Sequence, residues 1–250
     1  MAARSLRRVR RALSRREYPV VPAHIGRLDY AGAELVVGVT SRSELLSRLR
    51  PVAKEPWTAA WIERSLRPGD ALWDVGANIG GYSLIAASLG RDGARIVAVE
   101  PSFASYAALC ENILLNGFEA TVTPLPVLLG RRTGLAALEA GEAGAAERAV
   151  GGAGVAALCY RLDDLIPAVG LPPPTLLKID VDGAESAALD GARETLARSE
   201  LRSVLVEIDR TGGDAVAEAL RASGLQLVER VDERDGEPLA NVWYGIFERR

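Results

Sequence analysis

The chain has 250 residues, 48% of them hydrophobic and 25% charged, with a net charge of −3. That is the make-up of an ordinary globular protein of one large or two small domains, long enough to bury about 70–75% of the surface its unfolded form exposes. The two cysteines, Cys110 and Cys159, make no disulfide framework, no apolar run nears the roughly 18 residues of a membrane span, and a single histidine, His24, all but removes Ser-His-Asp, Cys-His and multi-His metal chemistry.

Residues 1–16 carry seven arginines and no acid, which leaves 23 basic against 33 acidic groups in the remainder. An acidic body of this kind offers no extended surface to a nucleic acid. The first 20 residues read as a flexible, solvated arm, with contact to anionic lipid or a nucleic acid as alternatives, and a mitochondrial presequence has the same look. Nothing in the arm resembles a secretory signal, so a reducing cytoplasm is the expected compartment.

Residues 21–68 read as a small β/α extension: two short strands around Ala31-Gly32, then a helix from Pro56 to Leu66 that Pro68-Gly69 ends. His24, isolated from any partner, reads as a surface residue, and Trp57, Trp61, Trp73 and Trp243 as core or pocket wall. From residue 69 onward strands and helices alternate. A buried strand, Ala71–Val75, runs into Gly76-Ala77-Asn78-Ile79-Gly80-Gly81 and a helix to Leu89. Arg95–Val99 is the next strand, ending in Glu100. A helix follows over 103–115, with Ser102 as its cap, Phe103, Ala107, Cys110 and Leu114 as its buried face, and Gly117 as its stop.

Residues 121–129 read as one strand, and the stretch 130–154, with seven glycines, as a loose insertion or irregular hairpin. A strand over 155–160 leads into Arg161-Leu162-Asp163-Asp164-Leu165, a helix start. Then come the strand Thr175–Ile179, a helix over 184–197, the strand Val204–Ile208, a helix over 214–222, and a closing hairpin of Leu225–Val231 and Asn241–Glu248. The pattern predicts an α/β domain over residues 69–250, with a mostly parallel sheet and a C-terminal antiparallel hairpin. In such sheets ligands bind outside the carboxyl ends of the strands, which points to Asp74–Gly80, Glu100, Asp180 and Glu207.

The glycine turn after the first sheet strand, with an acid at the end of the second, suits NAD, FAD or S-adenosylmethionine. Two details favour the last. Asn78 stands where a dinucleotide site wants the glycine that admits a pyrophosphate, and Asp74 would repel phosphate but suits a cationic ligand. An oxidoreductase using a nicotinamide is the second reading, and a non-catalytic scaffold docked through the basic arm is the third. A further cluster, Lys178, Asp180, Asp182 and Glu185, lies at a later strand end. Residues 178, 180 and 182 fall on one face if the strand continues. Asp180 is the candidate acceptor-side base, with Lys178 pairing with it and Glu207 as a second candidate. No metal site is expected. In a structural reading of the same cluster, Asp182 caps the helix and Glu185 favours its dipole.

Several stretches together resemble the FkbM-type S-adenosylmethionine-dependent methyltransferases. They are Asp74-Val-Gly-Ala-Asn-Ile-Gly80, Val99-Glu100-Pro101, Glu111-Asn112 with Asn116-Gly117, Arg161-Leu-Asp-Asp-Leu165, Lys178-Ile-Asp-Val-Asp-Gly-Ala-Glu185 and Val206-Glu207-Ile208, with Glu55-Pro56 ahead of them. The resemblance implies a class I methyltransferase (Rossmann-like) fold and methyl transfer to a hydroxyl of a sugar, glycan or polyketide-like product. It implies S-adenosylmethionine at Asp74, Gly76, Asn78, Gly80 and Glu100. Ala77, Ser83 and Pro101 join the expected cofactor set, with Glu100 at the ribose and Val127, after the third strand, beside the adenine. Gly81 stands where the family commonly has an aromatic residue, and Asp182 where it usually has Glu.

Overall fold

The computed structural model describes residues 24–39, 48–138, 154–181, 183–210 and 213–250. A short antiparallel pair, β1 (His24–Arg27) and β2 (Val36–Val39), comes first, followed by α1 (Pro51–Lys54) and α2 (Pro56–Ser65). β3 (Ala71–Val75), α3 (Gly81–Ser88), β4 (Arg95–Val99), α4 (Phe103–Asn116) and β5 (Val122–Leu125) then alternate. β6 (Leu128–Leu129), β7 (Gly134–Leu138) and β8 (Val155–Tyr160) make a separate three-stranded sheet. α5 (Leu162–Val169), β9 (Leu176–Ile179), α6 (Glu185–Asp190), α7 (Arg193–Ala197), β10 (Ser203–Asp209), α8 (Gly213–Ala222) and β11 (Leu225–Val231) follow. A small ribbon, β12 (Glu233–Arg234) with β13 (Glu237–Pro238), precedes the last strand, β14 (Val242–Arg249).

The central sheet has seven strands in the order β11-β14-β10-β9-β3-β4-β5, and only β14 runs against its neighbours. β3 and β9 are buried along their whole length, as central parallel strands covered on both faces must be. The strands after β3 step to one side as β4 and β5; the chain then crosses to the other side of β3 for β9 and β10. This reversal opens a crevice at the carboxyl ends of β3 and β9.

The period of two sorts each strand onto two faces. Trp73, Val75, Leu177, Ile179, Val204 and Val206 pack with Leu189 of α6 and Leu220 of α8. Leu72, Leu176, Leu205, Tyr244 and Ile246 pack on the other face with Trp57, Trp61 and Ile62 of α2 and with Ile113 of α4. By the same alternation Asp74, Lys178, Asp180 and Glu207 belong to this second face, under α2 and α3. The indole of Trp61 donates to Ser203 Oγ at 2.9 Å, which fixes α2 to β10. All four tryptophans are 8% exposed or less, as expected.

Helix α4 corrects the sequence reading. Its buried residues are Leu109, Asn112, Ile113, Leu115 and Asn116, whereas Phe103 is 86% and Leu114 45% exposed, and Cys110 is half-buried rather than core. The inward face carries two asparagines because their amides substitute for a neighbouring strand. Asn116 accepts the Val36 N–H at 3.0 Å and donates to Val36 O at 2.6 Å, and Asn112 accepts the Gly38 N–H at 2.6 Å. Counting apolar residues cannot detect a face whose polar groups are fully paired. Ser102 sits at the cap position, but its side chain makes no capping bond. Gly117 ends the helix at φ 72°.

Two further segments differ from expectation. Residues 121–129 divide into β5 and β6, which join different sheets. The helix over 184–197 is broken into α6 and α7 at Gly191, where a Cβ would lie 2.1 Å from Gly130 O. The ends of the glycine-rich stretch, β7 and β8, pair antiparallel as hairpin arms. The basic arm, residues 139–153 and Asp182 lie outside the described residues. β11 and β14 form the expected antiparallel hairpin, lengthened by the β12–β13 ribbon. His24 is exposed. Among the described residues no helix is long and apolar enough to cross a membrane.

Candidate active site

The turn after β3 is held tightly from beneath. The N–H groups of Gly76 and Ala77 both donate to Val99 O, at 2.9 and 3.0 Å. Gly76 has φ +80°, and a Cβ there would lie 1.8 Å from the carbonyl oxygen of Asp180, so only glycine lets the β3 turn meet the end of β9. Asn78 takes φ 51°, the left-handed region that asparagine tolerates better than most residues, and its Oδ1 accepts the Ile79 N–H at 2.9 Å. Gly80, at φ 93°, begins α3 against Leu109.

Glu100 is 7% exposed and clamps this turn to the start of α4. Its two oxygens accept the Asn78 N–H at 2.8 Å and the Ser102 N–H at 2.9 Å. Pro101 beside it is half-buried. Val127 is 6% exposed and packs in the core between β5 and β6.

Asp74 is 1% exposed and accepts the Ser83 hydroxyl through Oδ2 at 2.6 Å. Its Oδ1 lies 3.5 Å from Lys178 Nζ, an ion-pair contact too long to count as a hydrogen bond, and that buried oxygen has no hydrogen-bond partner. Lys178 donates to Asp180 Oδ2 at 3.0 Å. Burial opposes the lysine's charge, but Asp180, Asp74 and Glu55 outweigh it and hold the ammonium above its ordinary value. Asp180 is the member of this group that reaches solvent, with its side chain 21% exposed. Glu185 is buried instead at the start of α6, accepting the Gly183 N–H at 2.9 Å, and burial pushes its carboxyl upward.

Glu207 stands one strand further out and accepts the hydroxyl of Tyr244, its direct cross-strand neighbour. Burial, then Glu55, Asp180 and Glu207, drive the Tyr244 phenol far above its usual range. The three acids therefore bear on one point, and the expected catalytic set of Asp180, Lys178 and Glu207 is gathered at one end of the sheet.

Three residues of the cluster carried no assigned role in the sequence. Glu55 is 2% exposed, and its Oε2 accepts the Tyr82 hydroxyl at 2.9 Å, while Lys54 Nζ lies 2.8 Å from Oε1. The Tyr82 ring in turn lies 5.2 Å from Lys178 Nζ. Tyr244 completes the set. The usable signal was Glu55-Pro56: a proline at the first position of α2 keeps the preceding residue out of the helix, here at φ −140° and ψ 71°. Among the described residues no group of three His, Cys, Asp or Glu side chains is placed to hold a metal ion.

Comparison with known proteins identifies the family. The methyltransferase FkbM domain matches residues 74–229. Hexuronic acid methyltransferase AglP of Haloferax volcanii is 28% identical over 167 residues, 66% of this chain and 66% of that protein. The 31-O-demethyl-FK506 methyltransferase FkbM of Streptomyces tacrolimicus is 30% identical over 203 residues, 67% of this chain and 76% of that one. In fold, the chain is similar to an S-adenosylmethionine-dependent methyltransferase from Agrobacterium tumefaciens, with a TM-score of 0.50 at 14% identity, covering 94% of this chain and 72% of that one. With the domain match running over more than half of its residues and beginning at the buried aspartate of the β3 turn, the chain belongs to the FkbM methyltransferase family, and its cofactor is S-adenosylmethionine.

Proposed function

We propose that the protein methylates a hydroxyl oxygen of a sugar, glycan or polyketide-like acceptor. The observation that carries this reading is Asp180, a carboxylate at the carboxyl end of β9, oriented by buried Lys178 and open to solvent on its other side. The relatives named above act on a hexuronic acid and on an FK506 precursor. A hexuronic acid offers two kinds of oxygen. A carboxylate brought beside Asp180 and Glu207 meets like charge, whereas two hydroxyls of the sugar can donate, one to each.

The residues present fit the cofactor. The lone oxygen of Asp74 and the surplus of carboxylate around Lys178 suit the positive groups of its methionine part. Glu100, a buried carboxylate fixed by two N–H groups beside the β3 turn, is the acceptor suited to ribose hydroxyls. When bound, S-adenosylmethionine supplies an electrophilic methyl group. Everything else falls to the protein. Asp180 accepts the proton of the acceptor hydroxyl as the oxygen attacks. Lys178 keeps that carboxylate in place. Glu207, steadied by Tyr244, accepts a hydrogen bond from a second hydroxyl and so orients the acceptor, the factor from which a displacement at carbon gains most.

Methyl transfer from isotopically labelled S-adenosylmethionine to glucose, glucuronic acid and a macrolide alcohol tests the reading. The expected product is a base-stable methyl ether; a base-labile methyl ester would overturn it. Asp180→Asn should lower kcat by about 10²–10⁴-fold, the usual worth of a positioned base, with cofactor affinity within a few-fold of wild type.

A further inference from the structure

Glu55 precedes the segment that the family domain covers, yet it lies inside the same buried cluster. One aromatic ring, Tyr82, separates it from Lys178: the tyrosine hydroxyl bonds Glu55 and the ring faces the ammonium. Among the described residues, Lys178 is the buried cation of this cluster: it faces Asp74 and bonds Asp180, and the charge of Glu55 also acts on it. Lys54 pairs with Glu55 at 2.8 Å from the exposed side, so three carboxylates face two ammonium groups and the cluster keeps a net negative charge. Asp74 Oδ1 stays buried without a hydrogen bond. Uncompensated negative charge in a low-dielectric site favours a ligand that carries positive charge.

We propose that Glu55, together with Asp74 and Asp180, sets this centre to hold the sulfonium form of the cofactor in preference to the neutral thioether that methyl transfer leaves, with Glu55 acting as a positioning residue supplied from outside the family domain. The inference rests on S-adenosylmethionine as cofactor. On transfer the sulfur–carbon bond breaks with its electron pair left on sulfur, the carbon–oxygen bond forms, and the hydroxyl proton passes to Asp180. The ligand loses its sulfonium charge, and one of the carboxylates that attracted it becomes neutral. The spent cofactor is then the weaker ligand, and its departure leaves the site ready for the charged form.

The two forms differ by one methyl group and one charge, so their affinity ratio reads the field directly. Calorimetric titration of the full chain with S-adenosylmethionine, S-adenosylhomocysteine and sinefungin, which carries an ammonium in place of the sulfonium, tests the proposal. Wild type is expected to bind both cationic ligands about tenfold more tightly than S-adenosylhomocysteine, roughly the influence of one unit charge about 10 Å away at an effective dielectric constant near 20. Glu55→Gln should reduce that ratio to about twofold by weakening only the cationic ligands, and Glu55→Asp should restore it. Equal or tighter binding of S-adenosylhomocysteine by wild type overturns the proposal, as does a Glu55→Gln variant that weakens all three ligands alike. If Glu55→Gln fails to fold, Glu55→Asp still reads the part of Glu55, and the wild-type ratio still tests the preference for the sulfonium form. If wild type binds none of the three, the cofactor assignment fails, and the proposal with it.

Discussion

Lys178 is the side chain on which the most charge converges. It is 1% exposed, donates to Asp180 and faces Asp74. Removing it would leave both aspartates without their buried cation. Breaking a buried pair in this way costs about 3–5 kcal/mol, because the surviving charge can neither hydrate nor pair. Lys178→Met, which keeps the bulk and removes the charge, should therefore lower the unfolding free energy by about that amount in urea titration. Lys178→Met with Asp74→Asn should be less destabilised than the sum of the two single changes. The strand-end residues were readable from the sequence because their signal is local: a glycine turn, a strand, an acid at its end. The parts played by Glu55 and Tyr244 were not, because Glu55-Pro56 marks a helix start without naming its partner Tyr82, and Tyr244 meets Glu207 only through the pairing of β10 with β14.

Among the elements, the β1–β2 pair depends on side chains for its attachment. Asn112 and Asn116 satisfy the backbone of Val36 and Gly38, Asp29 accepts the N–H groups of Val52 and Ala53 at 3.0 and 2.7 Å, and Tyr30 donates to Glu63 at 2.8 Å. Asn112→Ala would leave the buried Gly38 N–H unpaired, a loss of about 1–3 kcal/mol. Faster hydrogen exchange at Gly38, with β3 and β4 unchanged, is the expected signature. The Tyr30 phenol is pushed up to about 12 by burial and by its bond to Glu63. Its folded pKa lies above the ordinary 10.0, so its contribution to stability is complete below pH 10 and fades as pH rises through about 12. A difference in alkaline absorbance titration between wild type and Tyr30→Phe should show this late ionisation; an ordinary ionisation near pH 10 would refute it. The misread face of α4 has the same origin as these contacts. Hydrophobic periodicity finds faces buried by apolar packing, and α4 is buried partly by amide-to-backbone bonding. The break between α6 and α7 was hidden for a related reason, since Gly191 marks a close approach to the Gly130 backbone and not a change of periodicity.

For the whole molecule, the alternation of strands and helices was enough to predict a mostly parallel sheet, because buried strands and amphipathic helices leave different periods in sequence. The strand order was not visible in that alternation, since it depends on which edge each crossover returns to. The chain's crossing from β5 to β9 places the ends of β3 and β9 side by side, and the period of two then turns Asp74, Lys178 and Asp180 toward α2 and α3. A segment that precedes the matched family domain thus contributes Glu55 to a site whose other acids lie within it.

The place of β14 also has a consequence for the order in which the molecule can be made. It leaves the ribosome after β10 and β11, yet it lies between them in the sheet. Until residues 242–249 emerge, β11 has no neighbour to pair with and β10 has one open edge. The bond between Tyr244 and Glu207 closes only at that step. The bonds from the Gly76 and Ala77 N–H groups to Val99 O join residues that are synthesised close together, whereas the Tyr244–Glu207 bond joins β10 to a strand made later. If Glu207 orients the acceptor as proposed, the partners of the β3 turn's backbone bonds are thus made well before that side of the site can be completed.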